Sequence, residues 1–267
     1  MTPVLVVALL VLGACTGLAA GLLGIGGGML MVPFMSMLLD HIGFPHDEVV
    51  KVAIATSLTT IVFTSASSVR AHHARGAVRW DIVRALAPGI LVGSLLAAHF
   101  AHVVPGRALA AFFGLFIGWS AIRMLVGRPP APDRTLPGAP GLAAAGATIG
   151  ALSALLGAGG AFITVPFLVR RNVPTIAAVA SSAACGFPIA LAGAVGYAWA
   201  GRDLALPAGT VGYVYLPALA AISVASMTTA PLGARLAHRL PTRTLKRIFA
   251  GLLAALAAYM LSRALRG

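Results

Sequence analysis

Charged residues are scarce in this sequence of 267 residues: they make up 9% of the chain, and only six are acidic. Soluble globular proteins carry about 25% charged residues, so the composition excludes an ordinary soluble domain. Hydrophobic residues make up 59% of the chain, and its mean hydropathy is +0.96. The composition therefore predicts an all-α polytopic membrane protein.

Acids and cysteines are too few and too scattered to indicate a catalytic or metal site. None of the acids lies at the centre of an apolar segment: Asp40, Asp47, Glu48, Asp81, Asp133 and Asp203. Cys15 and Cys185 both lie in apolar stretches and are expected to be small, buried, unpaired side chains. No catalytic triad or nucleotide-binding loop occurs. We therefore expect no enzymatic activity, no catalytic residues, no cofactor and no metal.

Glycine, in contrast, is concentrated where the first apolar run must break. No charged residue occurs from Met1 to Leu39. One helix over residues 3–39 would be about 55 Å long, against a hydrocarbon core of about 30 Å. Residues 24–28 contain four glycines, which permit unusual backbone angles and close approach of other groups. The run is predicted to break there, either as a re-entrant hairpin or as an unwound spanning helix.

The same pattern returns 133 residues later, where residues 157–167 repeat residues 24–34 and both stretches end in Val-Pro-Phe. The equivalent glycines are Gly24 and Gly157, Gly26 and Gly159, and Gly27 and Gly160. The chain is therefore divided into a first transmembrane repeat (1–125), a proline-rich linker (126–140) and a second transmembrane repeat (141–267). A repeated break is stronger evidence for function than a single glycine-rich turn.

Each repeat is predicted to hold one glycine-broken segment and three transmembrane helices, which gives about 8–10 membrane segments. The broken segments are 3–39 and 141–169, and the helices are 46–69, 85–102, 106–125, 174–200, 212–238 and 242–263. Residues 70–84 form a basic loop, and Leu253 is expected on the lipid side of the last helix. Pro88-Gly89 and Gly93-Ser94 are predicted to give the helix 85–102 a small-residue packing face.

Positive charge predicts how the repeats are oriented. If each broken segment enters and leaves on one side, the two repeats are inverted, and 14 of the 19 Lys and Arg residues fall on one side. These are Arg70, Arg75, Arg79, Arg84, Arg123, Arg128, Arg134, Arg170, Arg171, Arg235, Arg239, Arg243, Lys246 and Arg247. Parallel repeats would divide the charges almost evenly. The positive-inside rule therefore favours inverted repeats in a bacterial cytoplasmic (inner) membrane, with both termini extracytoplasmic.

A helix that starts at each break would have free N–H groups and a partial positive charge at that end, which together suit an anion. Neutral hydroxyls on the following helices could add hydrogen bonds. The predicted substrate-binding residues are Gly24, Gly26, Gly27, Gly28, Thr56, Ser57, Gly157, Gly159, Gly160, Ser181 and Ser182. Taken singly, each glycine or serine is also explained by helix packing.

The paired breaks with Val-Pro-Phe, together with the segments 55–58, 186–193 and 230–237, resemble the sulfite exporter TauE/SafE family of membrane permeases. The resemblance implies a secondary transporter for sulfite, a sulfonate or a related sulfur-containing or carboxylate oxyanion. A proton or sodium ion could couple the transport. An anion channel and a non-transporting membrane scaffold are the alternatives. The expected partners are a small anion and the lipid bilayer, and no nucleic acid.

Overall fold

The chain is described by a computed structural model over residues 3–23, 27–126, 135–237 and 242–266. Gly24, Gly26 and most of the linker lie outside these residues. The helices are α1 Pro3–Leu23, α2 Gly28–His41, α3 His46–Ala74, α4 Trp80–Phe100, α5 Gly106–Val126, α6 Ala139–Leu155, α7 Ala161–Val169, α8 Thr175–Ala200, α9 Leu216–Ala237 and α10 Thr242–Arg266. A 3₁₀ turn, Ala101–Val103, follows α4. Strands β1 (Thr210–Val211) and β2 (Val214–Tyr215) form a short antiparallel hairpin.

Several of these helices are long and apolar enough to cross a membrane. Within the described residues five qualify: His46–Ala74, Trp80–Val103, Gly106–Val126, Thr175–Ala200 and Arg247–Arg266. Three shorter apolar helical segments accompany them: Pro3–Ala19, Ala139–Leu155 and Leu216–Ala230. The protein is therefore a helical, multi-pass membrane protein, as the composition predicts.

Helices α3 and α8 occupy the centre of the fold. The α3 segment from Val49 to Leu58 is almost completely shielded from solvent, with at most 4% of any side chain exposed. A Cβ atom placed on Gly193 would lie 2.8 Å from a methyl group of Leu58, and one on Gly186 would lie 3.7 Å from Ser65 Cβ. Gly186 precedes Gly193 on α8, but its neighbour Ser65 follows Leu58 on α3. The two helices therefore run antiparallel.

The fifth helix of each half also packs against its equivalent. Gly114 of α5 faces Leu261 of α10, and Gly118 faces Ala257, with distances of 2.9 Å and 3.5 Å from the added Cβ atoms. This pairing is antiparallel too. The equivalent helices α3 and α8, and α5 and α10, thus point in opposite directions where they pack together.

The first helix of each half packs on the fourth helix of the other half: α1 packs on α9, and α6 packs on α4. The backbones approach closely at Gly93, where a Cβ atom would collide with the carbonyl oxygen of Ala147. The predicted packing face of α4 is therefore confirmed. The helices run parallel in both contacts. For example, Gly13 and Gly17 of α1 face Ile222 and Ser226 of α9 in the same order along the chain.

The basic loop is shorter than expected. The prediction that residues 70–84 form a loop is wrong, because α3 continues to Ala74 and α4 begins at Trp80. Residues 46–75 contain no glycine or proline that would interrupt α3. The helical path ends at Gly76, which takes a left-handed φ of +64°. Charge alone does not stop a helix, so the basic residues before Gly76 extend α3 by another turn.

The half-helices after the breaks have 14 and 9 residues, so both are too short to cross a bilayer of about 30 Å. Two further expectations are corrected. Leu253 is completely buried against the neighbouring helices and does not face lipid. Cys15 is exposed on the surface of α1, whereas Cys185 is buried as expected.

Candidate functional site

Each half-helix begins at a glycine in the left-handed conformation. Gly27 precedes α2 with φ +36°, and Gly160 precedes α7 with φ +77°. L-residues with side chains rarely adopt such angles. Gly157, at the start of the second break, is also left-handed, with φ +58°. The sequence prediction that these glycines turn the chain is therefore confirmed at all three positions.

The first amide groups of both half-helices have no acceptor among the residues that the structure describes. In α2 the first backbone bonds run from Leu30 and Met31 to the carbonyl of Gly27, and in α7 from Ile163 and Thr164 to that of Gly160. Within the described residues, no acceptor takes the preceding amides of Gly28, Met29, Ala161 and Phe162. Such groups, with the helix dipole behind them, are ordinary ligands for an anion.

The two breaks touch one another. A Cβ atom on Gly28 would collide with the carbonyl oxygen of Gly157 and lie 3.1 Å from Ala158 Cα. On the other side, Gly157 faces Val32, 2.8 Å from the position of its own added Cβ. Only glycine allows this approach, so the start of α2 and the turn before α7 form one continuous region.

The central serines of α3 and α8 differ in their contacts. The Ser57 hydroxyl is fully buried and donates a 2.8 Å hydrogen bond to the carbonyl oxygen of Gly157. The equivalent Ser182 hydroxyl is also buried, with 1% of the residue exposed, but it has no hydrogen-bond partner. Ser57 therefore joins α3 to the second break directly, and Ser182 remains available to donate.

Thr56 and Ser181 form a matched pair of contacts that the sequence did not predict. The backbone N–H of Tyr215, just before α9, donates to Thr56 Oγ1 at 3.0 Å. The backbone N–H of Arg79, just before α4, donates to Ser181 Oγ at 3.0 Å. Each hydroxyl accepts a bond that positions the fourth helix of the other half. Their predicted role as substrate donors would use the remaining hydroxyl hydrogen.

Other buried hydroxyls near the second break were missed by the sequence analysis. Ser153 Oγ lies 3.0 Å from the position of a Cβ on Gly160, and Thr164 lies in the first turn of α7. Both hydroxyls are buried and have no partner. Their equivalents in the first half are Ala20 and Met31, so a search for residues shared by both repeats passes over them.

The cavities differ greatly in size. A space lined by Ala19, Gly27, Met29, Leu30, Phe162 and Phe249 has a volume of about 10 Å³. This is close to the minimum for one water molecule, about 10–15 Å³. A groove of about 530 Å³ lies farther along α3, lined by Val62, Phe63, Ala66, Ser67, Arg70, Phe187 and Met227. The breaks are thus closely packed, whereas the wide groove lies farther along α3.

Buried positive charges lie away from the breaks and have acidic partners. Lys51 donates to the carbonyl oxygen of His102 at 3.0 Å and pairs with Glu48 at 3.1 Å. Arg263 forms a two-pronged ion pair with Asp40. These two are the buried Lys and Arg residues in the part of the chain that the structure describes.

Outside the spans, nearby groups hold two side chains in one protonation state. The hydrogen bond to Asp81 raises the pKa of the Arg79 guanidinium, which stays charged. Burial, with a smaller contribution from Glu48, raises the pKa of Tyr213, so its phenol stays neutral. Among the described residues no three His, Cys, Asp or Glu side chains are grouped as metal ligands would be.

Two half-helices that each start at a glycine break, with the breaks in contact inside a bundle of apolar spans, are typical of a membrane transporter with discontinuous helices. The family described as Sulfite exporter TauE/SafE matches residues 9–260. The chain belongs to this family of membrane transporters, as its sequence motifs indicated.

Relatives of nearly the same length share similarity over most of the chain. A "Probable membrane transporter protein" of Haemophilus influenzae is 34% identical over 90% of this chain and 92% of its own. One of Methanocaldococcus jannaschii is 26% identical over 95% of this chain and 94% of its own. One of Bacillus subtilis is 25% identical over 86% and 89%. No solved structure matches the chain.

Proposed function

We propose that this protein is a secondary transporter that moves a small anion across the cytoplasmic membrane by alternating access. The substrate is sulfite, a sulfonate or a related sulfur-containing or carboxylate oxyanion, in keeping with the family description. One observation carries the proposal: α2 and α7 each begin at a left-handed glycine, and the start of α2 lies against the turn that leads into α7. The two glycine breaks therefore meet inside an apolar bundle.

The anion is held by backbone amides and neutral hydroxyls. An unpaired charge in a low-dielectric interior is very costly, so it needs several donors. The amides of Gly28 and Ala161 lack acceptors within the described residues. The proposed site is the predicted set: Gly24, Gly26, Gly27, Gly28, Thr56, Ser57, Gly157, Gly159, Gly160, Ser181 and Ser182. Within this set Ser57, whose hydroxyl donates to Gly157, positions the second break. Because these groups are neutral, the site can release the anion as well as bind it.

The two repeats are proposed to be inverted, related by a pseudo-two-fold axis in the membrane plane. The antiparallel packing of α3 on α8 and of α5 on α10 supports this arrangement, because equivalent helices of inverted repeats point in opposite directions. The uneven distribution of Lys and Arg supports it independently. In this arrangement residues 75–79 are cytoplasmic, and both termini are extracytoplasmic.

The groove beside α3 offers an approach from one side. Its lining runs along α3 from Val62 to Arg70, next to the basic segment, and Val62 follows Ile61 in the sequence. Ile61 is 3.6 Å from the position of a Cβ on Gly159. An anion attracted by Arg70 would therefore meet the second break at the inner end of the groove, while the breaks themselves are closely packed.

The test is radiolabelled sulfite flux into proteoliposomes, measured with and without unlabelled sulfite inside. A carrier shows saturable uptake that internal sulfite accelerates by counterflow. Flux that neither saturates nor responds to internal sulfite would indicate a channel. In detergent, a carrier's unfolding temperature rises with a bound anion, following the mass-action relation. No flux and no stabilisation by any of the proposed anions would leave the scaffold alternative.

A further inference from the structure

Ser153 is a buried donor aimed at the second break. Only 1% of the residue is exposed, and its hydroxyl has no hydrogen-bond partner. That oxygen lies 3.0 Å from the position of a Cβ on Gly160, the glycine that starts α7. The side chain therefore lies against the turn that leads into α7, where Ile189 and Ile149 also pack.

Ser153 shares its lack of a partner with helical serines such as Ser94, Ser120 and Ser223, but it lies beside a glycine break. Buried helical Ser and Thr commonly donate to the carbonyl four residues back, as Ser36 and Thr60 do at 2.8 Å and 2.9 Å. Ser153 makes no such bond. Leaving a buried donor unsatisfied costs about 1–3 kcal/mol, so a ligand that accepts from Ser153 would remove a real penalty.

A second unpartnered hydroxyl lies on the half-helix α7 itself. Thr164 is in the first turn of α7, where its own amide bonds to Gly160 at 2.9 Å, and its side chain is fully buried without a partner. The first half has Ala20 and Met31 at the equivalent positions. The hydroxyl donors around the breaks are thus concentrated on the second one.

We infer that the second break is the principal anion site, and that Ser153 and Thr164 bind a singly charged oxyanion there. This inference rests on the proposed transport function. The amides of Ala161 and Phe162 and the two hydroxyls are the donors. The site is therefore off-centre between the repeats, because the first half offers no equivalent side chains.

The charge of the ligand follows from the kind of donors. All of them are neutral, and the buried cations Lys51 and Arg263 are paired with Glu48 and Asp40. The cost of moving an ion into a low-dielectric interior rises with the square of its charge, so a dianion costs about four times as much as a monoanion. Ile149 and Ile189 also border the Gly160 position, which suits an apolar substituent on the anion.

The test measures binding of methanesulfonate, a monoanion with a methyl group, and of sulfate, a dianion, to the purified full-length protein. We expect methanesulfonate to bind and sulfate not to bind at the same concentration. Ser153→Ala should raise the dissociation constant for methanesulfonate at least tenfold, the usual effect of losing a hydrogen bond to a charged group. Ser153→Thr, which keeps the hydroxyl, should restore binding.

Ser120→Ala is the matched control, because Ser120 is also a buried serine without a partner but lies on α5. Equal methanesulfonate affinity in Ser153→Ala and wild type would overturn the inference, and so would sulfate binding as tight as methanesulfonate binding. If Ser153→Ala does not fold, Thr164→Val carries the same test. If Gly160→Val abolishes methanesulfonate binding but Ser153→Ala and Thr164→Val do not, the proposed function stands and the inferred role of the two hydroxyls fails. If the wild type binds neither sulfite nor methanesulfonate, both fail.

Discussion

The break before α2 and the break before α7 begin alike, each at a left-handed glycine, but their surroundings differ. The second break is joined to α3 by the bond from Ser57 to Gly157, and Ser153 borders it. The first is followed by the longer half-helix, of 14 residues against 9. Backbone geometry is thus shared between the halves, whereas the side chains that would distinguish substrates are not.

The relation between the halves can be tested at the level of the whole molecule. In inverted repeats, single cysteines at positions 76 and 206 lie on opposite sides of the membrane, so an impermeant thiol reagent labels only one of them in intact cells. We expect the cysteine at position 76 to be protected from the reagent, because the loop that contains it is proposed to be cytoplasmic. Cys15 is exposed on α1, so it must be replaced first. Labelling of both positions from the same side would contradict the inverted arrangement.

Residues 75–79 should control this orientation. Replacing Arg75 and Arg79 with glutamine removes positive charge from the segment that is proposed to stay inside. We expect less inserted protein and partial labelling at position 76 from outside. Normal expression and orientation together with lost anion binding would instead place these arginines in the site.

Substitution of the two glycines should have the largest effect on transport. Gly27→Val and Gly160→Val put β-branched side chains at φ values of +36° and +77°, where such residues are strained. Both variants should lose sulfite flux while eluting as folded protein in size-exclusion chromatography. Ile248→Val is the control, since that side chain is 68% exposed on α10.

The two glycine variants also sharpen the comparison between the breaks. If the second break is the principal site, Gly160→Val should abolish anion binding, and Gly27→Val should abolish flux but retain weaker binding. Wild-type flux in both variants would move the site elsewhere. Aggregation of both would favour helix packing as the role of these glycines.

The sequence predicted the features that both halves share better than the features that differ between the halves. The glycine breaks, the helical spans and the packing face of α4 follow from local composition and from the need to fit a bilayer. The repeat alignment paired Thr56 with Ser181, but could not show that both accept backbone bonds from the segments before α9 and α4. Such contacts join residues more than 100 positions apart, which periodicity does not record.

Burial on individual helix faces was the least predictable feature. Leu253 and Cys15 were assigned to the wrong environment, because a helix that is apolar on all sides gives no signal for which side meets lipid. Ser153 was missed for a related reason: it has no equivalent in the first half. The role of a residue that occurs in only one half becomes clear only when the positions of the neighbouring helices are known.

The central serines should differ in their contribution to stability. Ser57→Ala removes the 2.8 Å bond to Gly157 and leaves a buried carbonyl without its donor, at a cost of about 1–3 kcal/mol. Ser182→Ala removes a hydroxyl that has no partner, so it should leave stability unchanged or raise it. Thermal unfolding in detergent without anion measures both. Equal destabilisation would mean that Ser182 makes an equivalent bond.

The smallest difference is expected between Thr56 and Ser181, where the two halves are most alike. Each hydroxyl accepts a 3.0 Å bond from a backbone N–H of the opposite half. Thr56→Val and Ser181→Ala each leave a backbone donor unsatisfied, and each should lower the free energy of unfolding by about 1–3 kcal/mol. The bonds join separate pairs of segments, so the effects should add in the double variant. Strong non-additivity would show that the starts of α4 and α9 move together, and that the halves are coupled at these hydroxyls as well as at the glycine breaks.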